Sequence, residues 1–152
     1  MKLSLIVATS LLTATLPAAD WPQWRGLSRD GISSEKVTAV WPAEGPKVLW
    51  RASVGTGFSS ISVSRSRVYT MGNTNNEDTI WCFEAGTGKR IWQHTYAAQL
   101  GPQWYEGGPG STPTVSGDRV FTISKWGDVF CLDAAKGTVL WQRDLRLAAC
   151  RT

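Results

Sequence analysis

Ile80-Trp81-Cys82-Phe83-Glu84-Ala85-Gly86-Thr87-Gly88-Lys89-Arg90-Ile91-Trp92 is echoed further along the chain by Val129-Phe130-Cys131-Leu132-Asp133-Ala134-Ala135-Lys136-Gly137-Thr138-Val139-Leu140-Trp141. Cys82 and Cys131, Gly88 and Gly137, and Trp92 and Trp141 are each 49 residues apart. A fixed period of roughly 20 to 50 residues is the mark of a repeat architecture, in which one supersecondary unit is stacked against copies of itself.

Outward from this stretch, each unit divides into four short runs rich in β-branched and aromatic residues, the composition that fits a pleated surface. In the first unit they are Phe58 to Val63, Val68 to Met71, Thr79 to Phe83 and Arg90 to His94. In the second they are Thr112 to Val115, Arg119 to Ile123, Val129 to Leu132 and Val139 to Arg143. Ser64-Arg65-Ser66-Arg67 and Ser116-Gly117-Asp118 join the first two runs as tight hairpins. Ala85 to Gly88 and Ala134 to Gly137 join the last two. Gly88 and Gly137 are expected at positive φ, and Glu84 and Asp133 are read as turn residues that accept backbone N–H bonds.

The third run is apolar on both faces, with Ile80 and Cys82 on one side and Trp81 and Phe83 on the other. Such a strand is covered from both sides, as in a sheet wedged between neighbouring sheets. Trp92 and Trp141 then fall on the outermost strand, each placed to cover a seam between sheets. Lys47-Val48-Leu49-Trp50-Arg51 reads as one more copy of that strand, with Trp50 in the equivalent place. The expected fold is all-β: a partial β-propeller of about two four-stranded antiparallel blades plus one outer strand.

The first nineteen residues read as an export signal. Lys2 is a minimal positive region, Leu3 to Leu16 is apolar, and the small residues Ala18 and Ala19 precede Asp20. The apolar run is broken by Ser4, Thr9, Ser10, Thr13 and Thr15 and falls short of the roughly 20 residues a membrane span needs. The expected organisation is a signal peptide at 1–19, a lead-in segment at 20–46, blades at 47–145 and an aberrant or truncated tail at 146–152. A secreted or periplasmic location follows, with no transmembrane helix once the signal is removed.

A net charge of +4 comes from scattered Lys and Arg without a block of like charge, which argues against nucleic-acid binding. Cys82 and Cys131 hold equivalent positions in stacked repeats, on the order of 10 Å apart and too far for a disulfide. Both are expected as small buried hydrophobes, leaving Cys150 as the odd thiol.

Longer connections gather at one end of the blades: Thr95 to Ser111 between the units, and an expected loop from Asn73 to Asp78 within the first. Insertions of this kind often lie on a binding face. Gly101-Pro102-Gln103-Trp104-Tyr105-Glu106-Gly107-Gly108-Pro109-Gly110 offers Trp104, Tyr105 and Glu106 as candidate ligand contacts, and Lys125 and Trp126 lie in a neighbouring turn. The plainer readings are a stiff connector whose aromatics pack on the rim and a solvated lysine. His94, the only histidine, is read as a surface residue. No metal spacing, nucleophile triad or phosphate loop assembles around it, so no catalytic or metal residue is assigned.

The acidic residue, two small residues, Thr or Lys, Gly, and Trp four positions on resemble the tryptophan-docking repeat of the pyrroloquinoline-quinone (PQQ) family of β-propellers. The match runs from Trp50 to Arg143, with Cys82 and Cys131 where the family often has Ala and Lys136 where Thr is commoner. Asp20-Trp21-Pro22-Gln23-Trp24-Arg25-Gly26 with Arg29-Asp30-Gly31 also resembles the start of secreted PQQ-like propellers of environmental bacteria. The resemblance implies one of two functions. Some members are quinoprotein dehydrogenases that hold PQQ and Ca²⁺ over the propeller centre and oxidise alcohols or sugars; others are cofactor-free scaffolds such as the outer-membrane-protein assembly factor. An adjacent Cys pair covers the cofactor in many dehydrogenases, and this chain has none.

Because a closed propeller takes about 4 to 8 blades, the chain reads as an N-terminal fragment of a larger one. Its expected role is a non-catalytic binding or scaffold module, without a cofactor of its own. The alternative is part of a PQQ-dependent dehydrogenase. Expected partners are the remaining blades or another protein, and a ring completed by several copies of the chain is a further arrangement.

Overall fold

The computed structural model describes residues 19–36, 40–103 and 105–148. Eight strands follow one another in two sheets: β1 (Ser62–Ser64), β2 (Arg67–Thr74), β3 (Glu77–Glu84) and β4 (Arg90–Ala97), then β5 (Thr114–Ser116), β6 (Arg119–Ile123), β7 (Asp128–Asp133) and β8 (Val139–Asp144). Each sheet is antiparallel with its strands side by side in chain order. A single helical turn, α1 (Leu145–Ala148), follows. These are the two expected blades.

The equivalence extends to an irregularity. Both sheets carry a register shift at the same place, between Cys82 and Phe83 and between Cys131 and Leu132. A bulge adds local twist and re-aims the strand beside it. It leaves Cys82 opposite Trp92 and Cys131 opposite Trp141.

The core lies between the sheets. Tyr69, Met71, Ile80, Cys82 and Trp92 from the first blade meet Val115, Val120, Phe130, Leu132 and Ala134 from the second. Val68 and Phe83, on the opposite face of the first blade, are also buried. β3 is therefore covered on both sides, as its two apolar faces require. Cys82 and Cys131 are free and buried, in agreement with the geometric argument against a bridge. Cys150 and most of the 146–152 tail, like the leader, lie outside the described residues.

Three expectations are corrected. Asn73 to Asp78 is not a loop: β2 and β3 continue through it to a two-residue turn at Asn75 and Asn76, both with left-handed φ. Asparagine tolerates that region, and the type I′ geometry suits the strand twist. The first strand begins at Ser62 rather than Phe58, because the Phe58 amide is bonded to the Pro109 carbonyl instead of a strand. Residues 47–51 form no ladder, since the described residues include no third strand beside them, although Trp50 occupies the expected place.

The lead-in supplies something unexpected. Trp21 exchanges two backbone hydrogen bonds with Val63, each 2.8 Å, and Pro22 accepts one from the Val115 amide at 2.7 Å. Asp20 accepts bonds from the Ser64 hydroxyl and the Arg65 amide. The segment thus runs across the innermost strands of both blades and satisfies edge groups that would otherwise be unpaired.

Candidate functional site

The repeated turns come first, because they hold the blades together. Gly88 and Gly137 both have positive φ, 70° and 72°, as the sequence requires. The glycine also meets a second demand. The Trp92 indole lies against Gly137 so closely that a Cβ there would stand 2.5 Å from Cδ2, and Trp50 lies the same way on Gly88. Trp92 Nε1 donates to the Ala134 carbonyl at 3.0 Å, and Trp50 Nε1 donates to the Ala85 carbonyl at 2.8 Å.

Glu84 and Asp133 brace these turns from their first positions. The Glu84 carboxylate accepts bonds from the Gly86 and Thr87 amides and from the Thr87 hydroxyl, which together hold its pKa below the usual carboxylate value. Asp133 accepts from the Ala135 and Lys136 amides. Both acids are structural.

The opposite end carries the candidate ligand residues. Lys125 donates its ammonium to the Gly101 carbonyl and lies over the rings of Tyr105 and Trp126, 5.0 and 5.4 Å from their centroids. Trp126 Nε1 donates to the Gln99 carbonyl at 2.7 Å, and Tyr105 meets Phe58 edge-on at 5.1 Å. Lys125, Trp126 and Tyr105 therefore come together as one cluster that ties the interblade connection to the β6–β7 turn. Lys125 is an exposed turn lysine, as read from the sequence, and its ammonium is also engaged by these neighbours. Glu106 is exposed beside the cluster, and Trp104 lies outside the described residues.

Beside this cluster lies a cleft of about 550 Å³ lined by Asn76, Ala98, Gln99, Trp126, Asp128 and Arg146. Arg146 bonds Asp128 at 2.9 Å and Asp144 at 2.8 Å, so its guanidinium closes one wall as part of an ion-paired group.

Residues that sequence reasoning missed lie just beneath. Asp78 is buried, accepting from Asn73 Nδ2 at 2.7 Å and from the Tyr96 hydroxyl at 3.4 Å, while Asn73 Nδ2 also donates to the Ala98 carbonyl at 2.8 Å. Burial raises the Asp78 pKa, opposed by those two donors. His94 is half-buried in the seam, 5.1 Å from the Phe130 ring, and its burial lowers its pKa. The surface reading of His94 fails because Phe130 comes from the next blade. The faint signal for Asp78 was its place opposite Asn73 on a hairpin that continues past its polar residues.

These features define a class: a blade-repeat protein whose sheets are joined by a tryptophan seated on the glycine turn of the next sheet. The chain belongs to the family described as outer membrane protein assembly factor BamB, whose model matches residues 76–152. It is a PQQ-like β-propeller protein. Similar solved structures include BamB from Moraxella catarrhalis, 20% identical with TM-score 0.43, the match covering 57% of this chain and 24% of that one. A europium-containing methanol dehydrogenase is 19% identical with TM-score 0.45, covering 55% and 14%. The computationally designed Ika8 protein is 18% identical with TM-score 0.22, covering 55% and 35%. The chain thus spans about a quarter of the length of the BamB structure it matches. No curated protein matches it.

Proposed function

We propose that these two blades serve as part of a larger exported propeller that binds other proteins of the cell envelope and carries out no chemistry. The observation that supports this best is the state of the loop end. Its one lysine is spent on the Gly101 carbonyl and two aromatic faces, and its arginine on two carboxylates. Such a surface is built to hold a shape, which suits recognition. The family match points the same way, since its model describes an assembly factor. The leader-like residues 1–19 fit an exported protein.

PQQ with Ca²⁺ was the alternative, and its fit can be judged from the donors present. No group of three or more His, Cys, Asp or Glu side chains that could hold a metal ion occurs among the described residues. No step of the proposed function runs through the cofactor.

The test has two arms. Glu106, exposed at the loop end, is replaced with a photo-crosslinking residue in cells, with Lys89 at the opposite end as control; a discrete adduct from position 106 alone is expected. Equal trapping from both positions would refute a loop-end binding face. Purified chain is also titrated with PQQ and Ca²⁺ and assayed for dye-linked alcohol oxidation. Saturable binding with turnover would overturn the non-catalytic reading.

A further inference from the structure

At the turn end of the seam, away from Lys125 and Trp126, the two blades enclose a cleft of about 170 Å³. Arg65, Arg67 and Tyr69 line it from the first blade, and Gly117, Asp118 and Ala134 from the second. Both walls belong to complete four-stranded sheets. Arg67 stands opposite Glu84 in the β2–β3 ladder, the partner an arginine would ordinarily take, but that carboxylate is committed to the amides of its own turn. Arg67 crosses the seam instead, and its Nη1 donates to the Ala134 carbonyl at 2.6 Å. Its Nη2 and Nε meet no acceptor among the described residues. Arg65 sits in the β1–β2 turn, where its amide donates to Asp20 at 2.9 Å. Its guanidinium is exposed and pairs with no carboxylate among the described residues.

A third donor faces the same space. The Ala134 carbonyl is approached by Arg67 Nη1 at 2.6 Å, by Trp92 Nε1 at 3.0 Å and by the Tyr69 hydroxyl at 3.5 Å. A carbonyl oxygen has two lone pairs. The arginine and the indole take them, and the tyrosine is left beyond the ordinary O–H···O range of about 2.5–3.0 Å. Its other polar neighbours are the Arg67 guanidinium, a donor, and the Cys82 thiol, a weak acceptor. Tyr69 is only 1% exposed, so water does not replace the missing acceptor. Burial pushes its pKa up to about 12, which keeps the proton on the hydroxyl and the group a donor.

The cleft is therefore rich in donors and short of acceptors. Asp118 is the carboxylate on its rim, but that side chain is 87% exposed, lies 4.0 Å from Arg119 and reaches neither Arg65 nor Arg67. A buried donor without an acceptor is costly, and two guanidinium groups add positive charge beside it. The complement is a small, multiply charged oxyanion. The space is below the roughly 300–1,000 Å³ of a site for a drug-sized molecule and equals about five waters at ~30 Å³ each. A phosphate group brings about −1.5 to −2 charge at pH 7 and three strong acceptor oxygens, where a carboxylate brings one charge and two oxygens.

We propose that this interblade cleft is a phosphate site, in which Arg65, Arg67 and the Tyr69 hydroxyl donate to the oxygens of one phosphate group. Arginine forks match phosphate oxygens in pairs, and Arg67 already has one N–H fixed by Ala134, so little freedom is lost when the others are used. The phosphate is either the free ion or the terminal group of a larger molecule that enters the cleft by that end alone. The site lies at the end of the sheets away from the loop-end binding face and stands whether or not that reading holds.

The experiment titrates the full chain with inorganic phosphate, and separately with methyl phosphate, at pH 7 and constant ionic strength, following backbone amide shifts by NMR. Saturable shifts are expected at residues 64–69 and 134–135. Arg65→Gln and Arg67→Gln should each weaken binding at least about tenfold, as loss of a charge-assisted bond does, and Tyr69→Phe about fivefold. Lys89→Gln removes a positive charge from the same end without touching the cleft and should bind as wild type does. Binding of methyl phosphate as tight as that of the free ion assigns the site to the phosphate end of a larger molecule, and binding of the free ion alone assigns it to the ion; saturation by neither refutes the site. Equal weakening by Lys89→Gln and Arg65→Gln would show a diffuse charge effect and overturn the proposal, as would Arg65→Gln with wild-type affinity. Should Arg67→Gln fail to fold, Arg65→Gln carries the test, because the exposed Arg65 side chain bonds to nothing among the described residues.

Discussion

Gly137→Ala isolates the contact that joins the blades. The new Cβ would stand 2.5, 2.6 and 2.9 Å from three atoms of the Trp92 indole, so the ring must leave its seat. Three costs follow. A non-glycine residue at φ 72° carries about 1–2 kcal/mol of backbone strain. The Trp92–Ala134 hydrogen bond, 3.0 Å long, contributes about 1 kcal/mol. Partial exposure of a ring now 7% exposed costs about 1–2 kcal/mol more, a fraction of what full truncation of a buried aromatic takes. The expected total is about 3–5 kcal/mol. Gly117→Ala is the control, because Gly117 has φ 61° but nothing within 4 Å of the added carbon. It should cost the strain alone. Urea unfolding followed by tryptophan fluorescence gives both values. In a Trp92→Ala background the Gly137→Ala cost should fall to that of Gly117→Ala, giving a coupling of about 2 kcal/mol. Equal losses for the two glycine variants, or additivity in the double variant, would refute the seat as the joint between blades.

The remaining outcomes concern buried groups and the loop end. Burial holds the Asp78 pKa above its unfolded value, so the stability tied to it is complete below the unfolded pKa and is lost as pH rises through the folded one. Thermal unfolding from pH 3 to 7 should therefore show a downward component that Asp78→Asn removes, and parallel curves for the two proteins would count against it. In a Cys150→Ser background, Cys82, buried and with a thiol pushed up to about 11, should resist iodoacetamide at pH 8 until urea is added. Rapid alkylation of the folded chain would contradict its burial. Lys125→Met should raise amide exchange across residues 99–103 and 105–110, because it removes the Gly101 contact and a cation–π interaction of about 1 kcal/mol. Unchanged exchange there would show that the lysine does not hold the connection.

Much of the blade was legible because its chemistry is local. The alternation in β6 and the double-faced β3 carry their own signal, and Gly137 marks its turn whatever surrounds it. Asn73 to Asp78 misled because Val68 and Cys82 are 14 residues apart where Val120 and Cys131 are 11 apart, and the extra residues look like a loop. What decides their state is the pairing of Asn73 with Asp78 across the hairpin and the left-handed tolerance of Asn75 and Asn76. At the loop end, the residues were legible but their association was not. Lys125 meets Tyr105 only because the interblade connection folds back, and His94 meets Phe130 only through stacking of two sheets. Nothing in the neighbours of either residue could announce a partner that distant in the chain.

The strap formed by Asp20, Trp21 and Pro22 has a consequence for the order in which the molecule assembles. Its bonds to Val63 and Val115 join the beginning of the chain to both innermost strands. Each blade can zip up through neighbouring strands, whereas closing the strap requires a loop that contains the whole first blade and the start of the second. Contacts of such long sequence separation form late, after the loop-closure entropy has been met by local structure. The strap, which precedes both blades in the sequence, is thus the last part to settle. Until they do, two open strand edges stand exposed side by side, and the interval before closure is when the chain is most vulnerable to pairing with the wrong neighbour.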